Sequence, residues 1–155
     1  VGKKSTKMQK IKQKMFIEGF SRLEEWLENK GWSVDCDYCV RDEIFFNGKY
    51  ITISKRSGSE KRLYSLLHEC GHLLIQQNSH KYEQTYPTQA KMNQFLTHRG
   101  IERTKGYRVE TLIEEIDAWK RGVSLADRIG IFVDNKNYQQ MANECIYTYI
   151  EWAAK

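Results

Sequence analysis

The chain has one proline in 155 residues, so it holds no proline-rich linker that would string separate modules together. It has no apolar run near the ~20 residues that a bilayer-crossing helix needs. No apolar signal-peptide core follows the N-terminal lysines. A soluble, cytoplasmic protein with no membrane partner is therefore expected. The four cysteines are too few for a secreted disulfide framework in a chain of this length. Cys36 and Cys39 form one Cys-x-x-Cys pair, but a structural zinc site of that kind wants a second pair. Only Cys70 and Cys145 remain, far away, so all four read as buried or idle thiols. Repeats and low-complexity segments are absent beyond the first residues.

Acid is also missing at one end. Residues 1–14 hold six lysines (Lys3, Lys4, Lys7, Lys10, Lys12, Lys14) and no Asp or Glu. Without those six, 19 of the 25 Lys and Arg remain against 20 acids, so the net charge of +5 belongs to this segment. It reads as a basic, frayed tail over 1–14 that could touch nucleic acid weakly. Residues 15–155 read as a single domain, and the whole chain is 40% hydrophobic, with 4 Trp, 9 Tyr and 6 Phe. That suits one domain with one core.

Apolar residues from Met8 to Leu27 recur at three- and four-residue spacing, which predicts a helix over 8–30 with Gly31 as its stop. Residues 44–53 carry two β-rich runs around Asn47-Gly48, the signal of a hairpin with a type I′ turn. Ser57 and Glu60 fit a capping box for a helix running to about Gln77. Residues 78–105 are polar and mixed, with a short helix expected over 90–96. A second strong helix is expected over 110–121, ended by Gly122, with Val109, Leu112, Ile113, Ile116 and Trp119 as its apolar stripe. A further turn is expected over 125–129. A last helix, capped by Asp134 or Asn135, carries Tyr138, Met141, Cys145, Tyr149 and Trp152 on one side. The whole predicts an α+β domain with a small antiparallel sheet packed on the central helix.

That central helix carries His68-Glu69-Cys70-Gly71-His72, the pattern His-Glu-x-x-His. On a helix the two histidines share one face, where they can grip one Zn²⁺ at about 2.0–2.1 Å each. Glu69 then stands where a general base is needed. Catalytic zinc usually takes three protein ligands and leaves one position open. The residue six positions after His72 is Asn78, which fails the metzincin pattern. His80 and His98 fit no defensible spacing. Glu114 and Glu115 are the better candidates. At ~100° per residue Glu115 lies near the edge of the apolar stripe and Glu114 almost opposite it, facing water. Glu115 is the favoured third ligand.

The first motif, with Glu115-Ile116-Asp117-Ala118, resembles the gluzincin class of zinc metallopeptidases. The Glu-x-x-Ala spacing is similar to that of ImmA/IrrE-type and membrane-embedded CAAX-type peptidases, and the compact size resembles small phage-encoded metallopeptidase-like proteins. The resemblance covers about 10 of the 155 residues. It implies a zincin-like fold, zinc held by His68, His72 and Glu115, and Ala118 as the small residue that lets the helices approach. It also implies a peptide or protein substrate, met in a host cytoplasm if the chain is phage-encoded. Glu69 would move the water proton. An oxyanion donor is needed, with Tyr82, Tyr86, His98, Tyr107 and Arg108 as candidates. The strand over 50–54 could pair with an extended peptide. The alternatives are a non-proteolytic zinc-containing regulatory or nucleic-acid-binding module, and a zinc hydrolase acting on a non-peptide bond.

Overall fold

The computed structural model describes residues 2–94 and 100–155. The chain opens with α1 (Gly2–Glu28), followed by β1 (Ser33–Asp37), β2 (Glu43–Phe45) and β3 (Tyr50–Ser54). Then come α2 (Ser59–Gln76), α3 (Ser79–Thr85), α4 (Pro87–Gln94), a 3₁₀ turn over Ile101–Arg103, α5 (Lys105–Ile129) and α6 (Asn135–Ala153). This is an α+β chain, mostly helical. No helix among the described residues is long and apolar enough to cross a membrane.

The helix expected over 8–30 starts earlier, at Gly2, so the lysine-rich residues form its first turns. Its inner face is Phe16, Leu23 and Leu27, whereas Met8, Ile11 and Ile17 are exposed. Gly31 follows with φ of 80°, and the Trp32 N–H returns to the Leu27 carbonyl at 3.0 Å.

The sheet is mixed rather than antiparallel, with strand order β1-β3-β2. β2 pairs antiparallel with β3, Ile44 opposite Ile51, as a hairpin requires. β1 pairs parallel with β3, Val34 opposite Ile51. The hairpin occupies one edge of β3, and β1 arrives from α1 to take the other. The turn also departs from type I′. Neither Asn47 nor Gly48 has a positive φ; Lys49 does, at 50°. The Lys49 N–H reaches the Phe46 carbonyl at 3.4 Å, so a tight turn is followed by one left-handed residue, the usual pattern of longer hairpin loops.

Ile51 and Ile53 of β3 are fully buried and join Leu63, Leu66, Leu67 and Cys70 of α2 in the main core. Every residue of α2 from Leu63 to Leu73 is buried, because α1, the sheet and α5 each cover one side of it. Gly58, not Ser57, is the N-cap of α2, and no side chain caps it. Glu60 turns instead to α6 and to its own helix, accepting from Asn137 Nδ2 at 2.8 Å and Tyr64 Oη at 3.0 Å.

The polar segment after α2 is ordered by local chemistry through α4. The Asn78 side chain caps α3, accepting from the Lys81 N–H at 3.1 Å. Pro87 opens α4, where its missing N–H costs nothing and its fixed φ suits the first helical turn. The Glu110 carboxylate of α5 takes the free N–H groups of Thr88 and Gln89, at 3.1 and 2.8 Å. α4 is thereby bound to α5.

Gly122 does not end α5, which runs on to Ile129 through the expected separate turn. The stop is Gly130, left-handed at φ 75°, followed by the Ile131 N–H on the Ala126 carbonyl at 2.8 Å, a C-terminal arrangement that favours glycine. Gly122 has another task. A Cβ on it would stand 2.6 Å from the Leu67 carbonyl oxygen of α2. Reciprocally, a Cβ on Gly71 of α2 would be driven into the Ala118 carbonyl of α5. Two glycines and the small Ala118 let α2 and α5 lie backbone against backbone.

Candidate metal centre

This close approach decides which face of α5 is buried. The buried residues are Glu114, Glu115, Ala118, Trp119, Gly122, Leu125 and Ala126. Val109 and Ile113, assigned to the apolar stripe from sequence, are about half exposed at 52% and 49%. The face turned to α2 is built from small and acidic residues, so hydrophobicity alone misplaced its centre.

Glu115 then meets both histidines of α2. Its Oε2 lies 3.0 Å from His68 Nε2, and its Oε1 lies 3.2 Å from His72 Nε2. The two Nε2 atoms are 3.2 Å apart. All three side chains are buried and could hold one metal ion. Ligands at ~2.05 Å around one tetrahedral ion stand about 3.3 Å from one another, so these separations match the edges of such a site. The hydrogen-bond inventory agrees. Despite its 3.0 Å neighbour, Glu115 Oε2 is buried and receives no well-directed donor, and His68 Nδ1 has no partner either. The atoms converge on a common point rather than pairing off. Two imidazoles and a carboxylate are a donor set that suits zinc.

Glu114 is a correction. It is buried, not turned to water. Its Oε1 accepts from Gln76 Nε2 at 2.9 Å, and its Oε2 lies 3.9 Å from His72 Nδ1. The Gln89 amide fits best with its nitrogen donating to Glu114 Oε2 at 2.9 Å and to Tyr82 Oη at 3.0 Å, while its oxygen accepts from Thr111 Oγ1 at 2.8 Å. α3 and α4 cover the side of α5 that the sequence left bare, and these amides compensate the buried charge. Glu114 faces the far nitrogen of His72, where a carboxylate orients a metal-binding imidazole. Glu115 faces the near one.

Charge states follow from the same contacts. Burial lowers the His68 pKa, with Glu115 opposing. Burial would lower that of His72 too, but Glu114 and Glu115 outweigh it and bring it up to about 10. Burial would raise Glu115, yet the two imidazoles beside it hold it down to about 2. Burial pushes Glu69 up to about 7, with His72 opposing. A carboxyl poised near neutrality is suited to taking and giving a proton. His68 is also fixed by Trp119 of α5, stacked at 4.4 Å between ring centroids and 24° between planes.

The other nominated residues are placed elsewhere. His80 lies exposed on α3, 3.2 Å from the Gln84 amide. His98 lies outside the described residues. Tyr82 is committed to Gln89, and Tyr86 stands beside it at 5.4 Å between centroids. Tyr107 and Arg108 pack on Trp152 at 6.3 and 5.8 Å. Sequence reasoning missed Tyr149, read as core. Burial, followed by the charge of Glu115, raises its pKa. The signal available was its place one turn after Cys145 on the inner stripe of α6.

A cleft of about 630 Å³ opens between β2 and the α3–α4 segment, lined by Ile44, Phe45, Phe46, Gln76, Tyr82 and Ala90 among others; Gln76 is the link to the candidate site, through its bond to Glu114. β3 is the central strand and is paired on both sides, so it cannot accept a peptide as expected. β2, which borders the cleft, is paired on one side only.

Compared with models of known protein families, with curated proteins and with solved structures, the chain matches none.

Proposed function

We propose that this chain is a cytoplasmic, zinc-dependent peptidase with a zincin-like domain, as its two motifs suggest. The observation that carries the reading is the convergence of His68, His72 and Glu115, with Glu69 one residue from the first ligand on the same helix. His68 and His72 would bind through Nε2 and Glu115 through its carboxylate. Zinc, when bound, polarises the scissile carbonyl and lowers the pKa of water. Glu69 takes the proton of the attacking water and hands it to the leaving amine. Glu114 and Trp119 hold the two imidazoles in place. The cleft beside β2 offers a free strand edge for an extended peptide backbone and an apolar wall for its side chains.

The test is zinc content and hydrolysis of a quenched fluorescent peptide library by wild type and Glu69→Gln. One zinc per chain in both proteins, with hydrolysis only in wild type, is expected. Equal rates in the two proteins would refute the mechanism, and a metal-free wild type after zinc supply would remove the site. The lysine-rich first turns of α1 favour a second reading, a zinc-containing nucleic-acid-binding module. Stoichiometric zinc without hydrolysis, together with salt-sensitive RNA or DNA binding lost on deleting residues 1–14, would select it.

A further inference from the structure

Glu114 can orient His72 only if something fixes the carboxylate in turn. The 3.9 Å between Glu114 Oε2 and His72 Nδ1 is longer than a hydrogen bond, so the imidazole alone does not set its position. Two amides do. Gln76 Nε2, from the end of α2, donates to Oε1 at 2.9 Å. The Gln89 nitrogen, from the first turn of α4, donates to Oε2 at 2.9 Å, and Oε2 is the oxygen that faces His72. A buried carboxylate left without donors is costly, so these two contacts set its aim.

Gln89 is itself held on every side. It is only 6% exposed. Its backbone N–H donates to Glu110 Oε2 at 2.8 Å. Its side-chain oxygen accepts from Thr111, from the hydroxyl at 2.8 Å and the backbone N–H at 3.2 Å, and its nitrogen meets Tyr82 Oη at 3.0 Å as well as Glu114. Turning the amide over would set its oxygen against the carboxylate oxygen, acceptor on acceptor. Glu110 and Thr111 stand one helical turn before Glu114, so α5 clamps the residue that aims its own carboxylate. Tyr82 and Ala90 of the same α3–α4 segment line the cleft, together with Gln76. The wall of the cleft and the outer side of the candidate metal centre therefore share one hydrogen-bond network.

Building on the metal centre of the peptidase reading, we infer that Gln89 is a positioning residue, which aims Glu114 at Nδ1 of His72 and so sets the imidazole that would bind metal through Nε2. A glutamine suits the task because it accepts at one atom and donates at the other without a charge of its own. An acid in its place would repel Glu114, and a base would draw it away from His72. No bond is made or broken, and no proton changes place.

The experiment reads zinc affinity, by competition with a chromophoric chelator, and the thermal midpoint of the metal-free protein. Wild type, Gln89→Met, Glu114→Ala and the double variant form a cycle that isolates what Gln89 does through Glu114. Gln89→Met keeps the length of the side chain and removes its donors. It should lower zinc affinity about tenfold, at the lower end of outer-shell losses. In the Glu114→Ala background it should cause no further loss, because no carboxylate is left to aim. Thr111→Val removes the hydroxyl that locks the amide but no donor to Glu114. It should give a smaller loss in the same direction, and it carries the test if Gln89→Met does not fold. Wild-type zinc affinity in both Gln89→Met and Thr111→Val, even with lowered midpoints, would overturn the assignment. So would an equal loss from Gln89→Met with and without Glu114, which would make Gln89 a support of the fold acting independently of that carboxylate. None of these readings needs hydrolysis. Zinc-loaded wild type that cleaves no peptide would remove the peptidase reading and leave Gln89 in its role, whereas wild type that takes up no zinc would remove the metal centre and this inference together.

Discussion

Replacing Gly71 or Gly122 with alanine tests the close contact on which the candidate site depends. At Gly122 the added Cβ would sit 2.6 Å from the Leu67 carbonyl oxygen and 2.8 Å from the Tyr138 hydroxyl. Ordinary contact begins near 3.4 Å, so α2 and α5 must part by about 0.8 Å along that line. At Gly71 the obstacle is the Ala118 backbone, and the displacement is larger. The nearest obstacle at each glycine is backbone, which cannot swing aside as a side chain could. Overpacking of this kind costs about 1–3 kcal/mol. Alanine returns at most ~1 kcal/mol through its better helix propensity, so Gly71→Ala should be the worse of the two. For a chain of this size each kcal/mol moves the midpoint by about 2–4 °C. Gly71→Ala should therefore lower it by roughly 3–10 °C.

The same displacement separates Glu115 from His68 and His72. Metal–ligand distances tolerate only about 0.2 Å, so zinc affinity should fall at least tenfold, a loss of the size that outer-shell changes produce. Calorimetry of the metal-free protein reads the first effect, and competition with a chromophoric chelator reads the second. Gly106→Ala is the control, because its Cβ would meet only Thr88 Oγ1 at 3.5 Å. If Gly71→Ala and Gly122→Ala behave like Gly106→Ala in both assays, the helices are not in backbone contact and the reasoning fails.

Glu115→Ala should abolish stoichiometric zinc, while Glu114→Ala should weaken binding about 10–100-fold without abolishing it; elemental analysis after dialysis at fixed free zinc separates the two, and the reverse order would exchange their roles. In metal-free protein, the Glu69 carboxyl is neutral in the fold up to about pH 7 but ionises from about 4.5 when unfolded. Its contribution to stability is thus fully present below pH 4.5, is lost as pH rises toward 7, and is constant beyond. Against a Glu69→Gln reference treated with chelator, the wild-type midpoint should fall across this window; a constant difference between the two proteins from pH 4.5 to 8 would show that Glu69 is not held neutral by burial.

The parts of the site that were legible in the sequence are those with a local signature. Two histidines one turn apart on a predicted helix needed no tertiary knowledge, and Glu115 needed only the prior that a third ligand follows on another helix. Glu114 was misread because helical periodicity was counted from Val109 and Ile113, which face outward. The true inner face is marked by Ala118 and Gly122, residues whose value lies in their small size and not in hydrophobicity. Gly122 reads as a stop for the same reason, since composition does not distinguish a glycine that ends a helix from one that admits a neighbour. The hairpin was recognised from its alternating strands, but the left-handed residue moved to Lys49 because the loop is longer than two residues. The parallel pairing of β1 had no local signal.

The burial of α2 on every side bears on how slowly the site exchanges with its surroundings. Helix ends and surface helices fray, and their amide protons exchange through small local openings. Amides deep in a core exchange only when the domain opens as a whole. The Leu63 to Leu73 stretch, wholly buried, belongs to the second kind, so its protons should be the last to exchange in the molecule. The histidines share that fate. No partial unravelling frees His68 or His72 without undoing the core, so fraying of the helix would not release an ion seated there. Loss of the ligand set itself would be no faster than the opening of the whole domain.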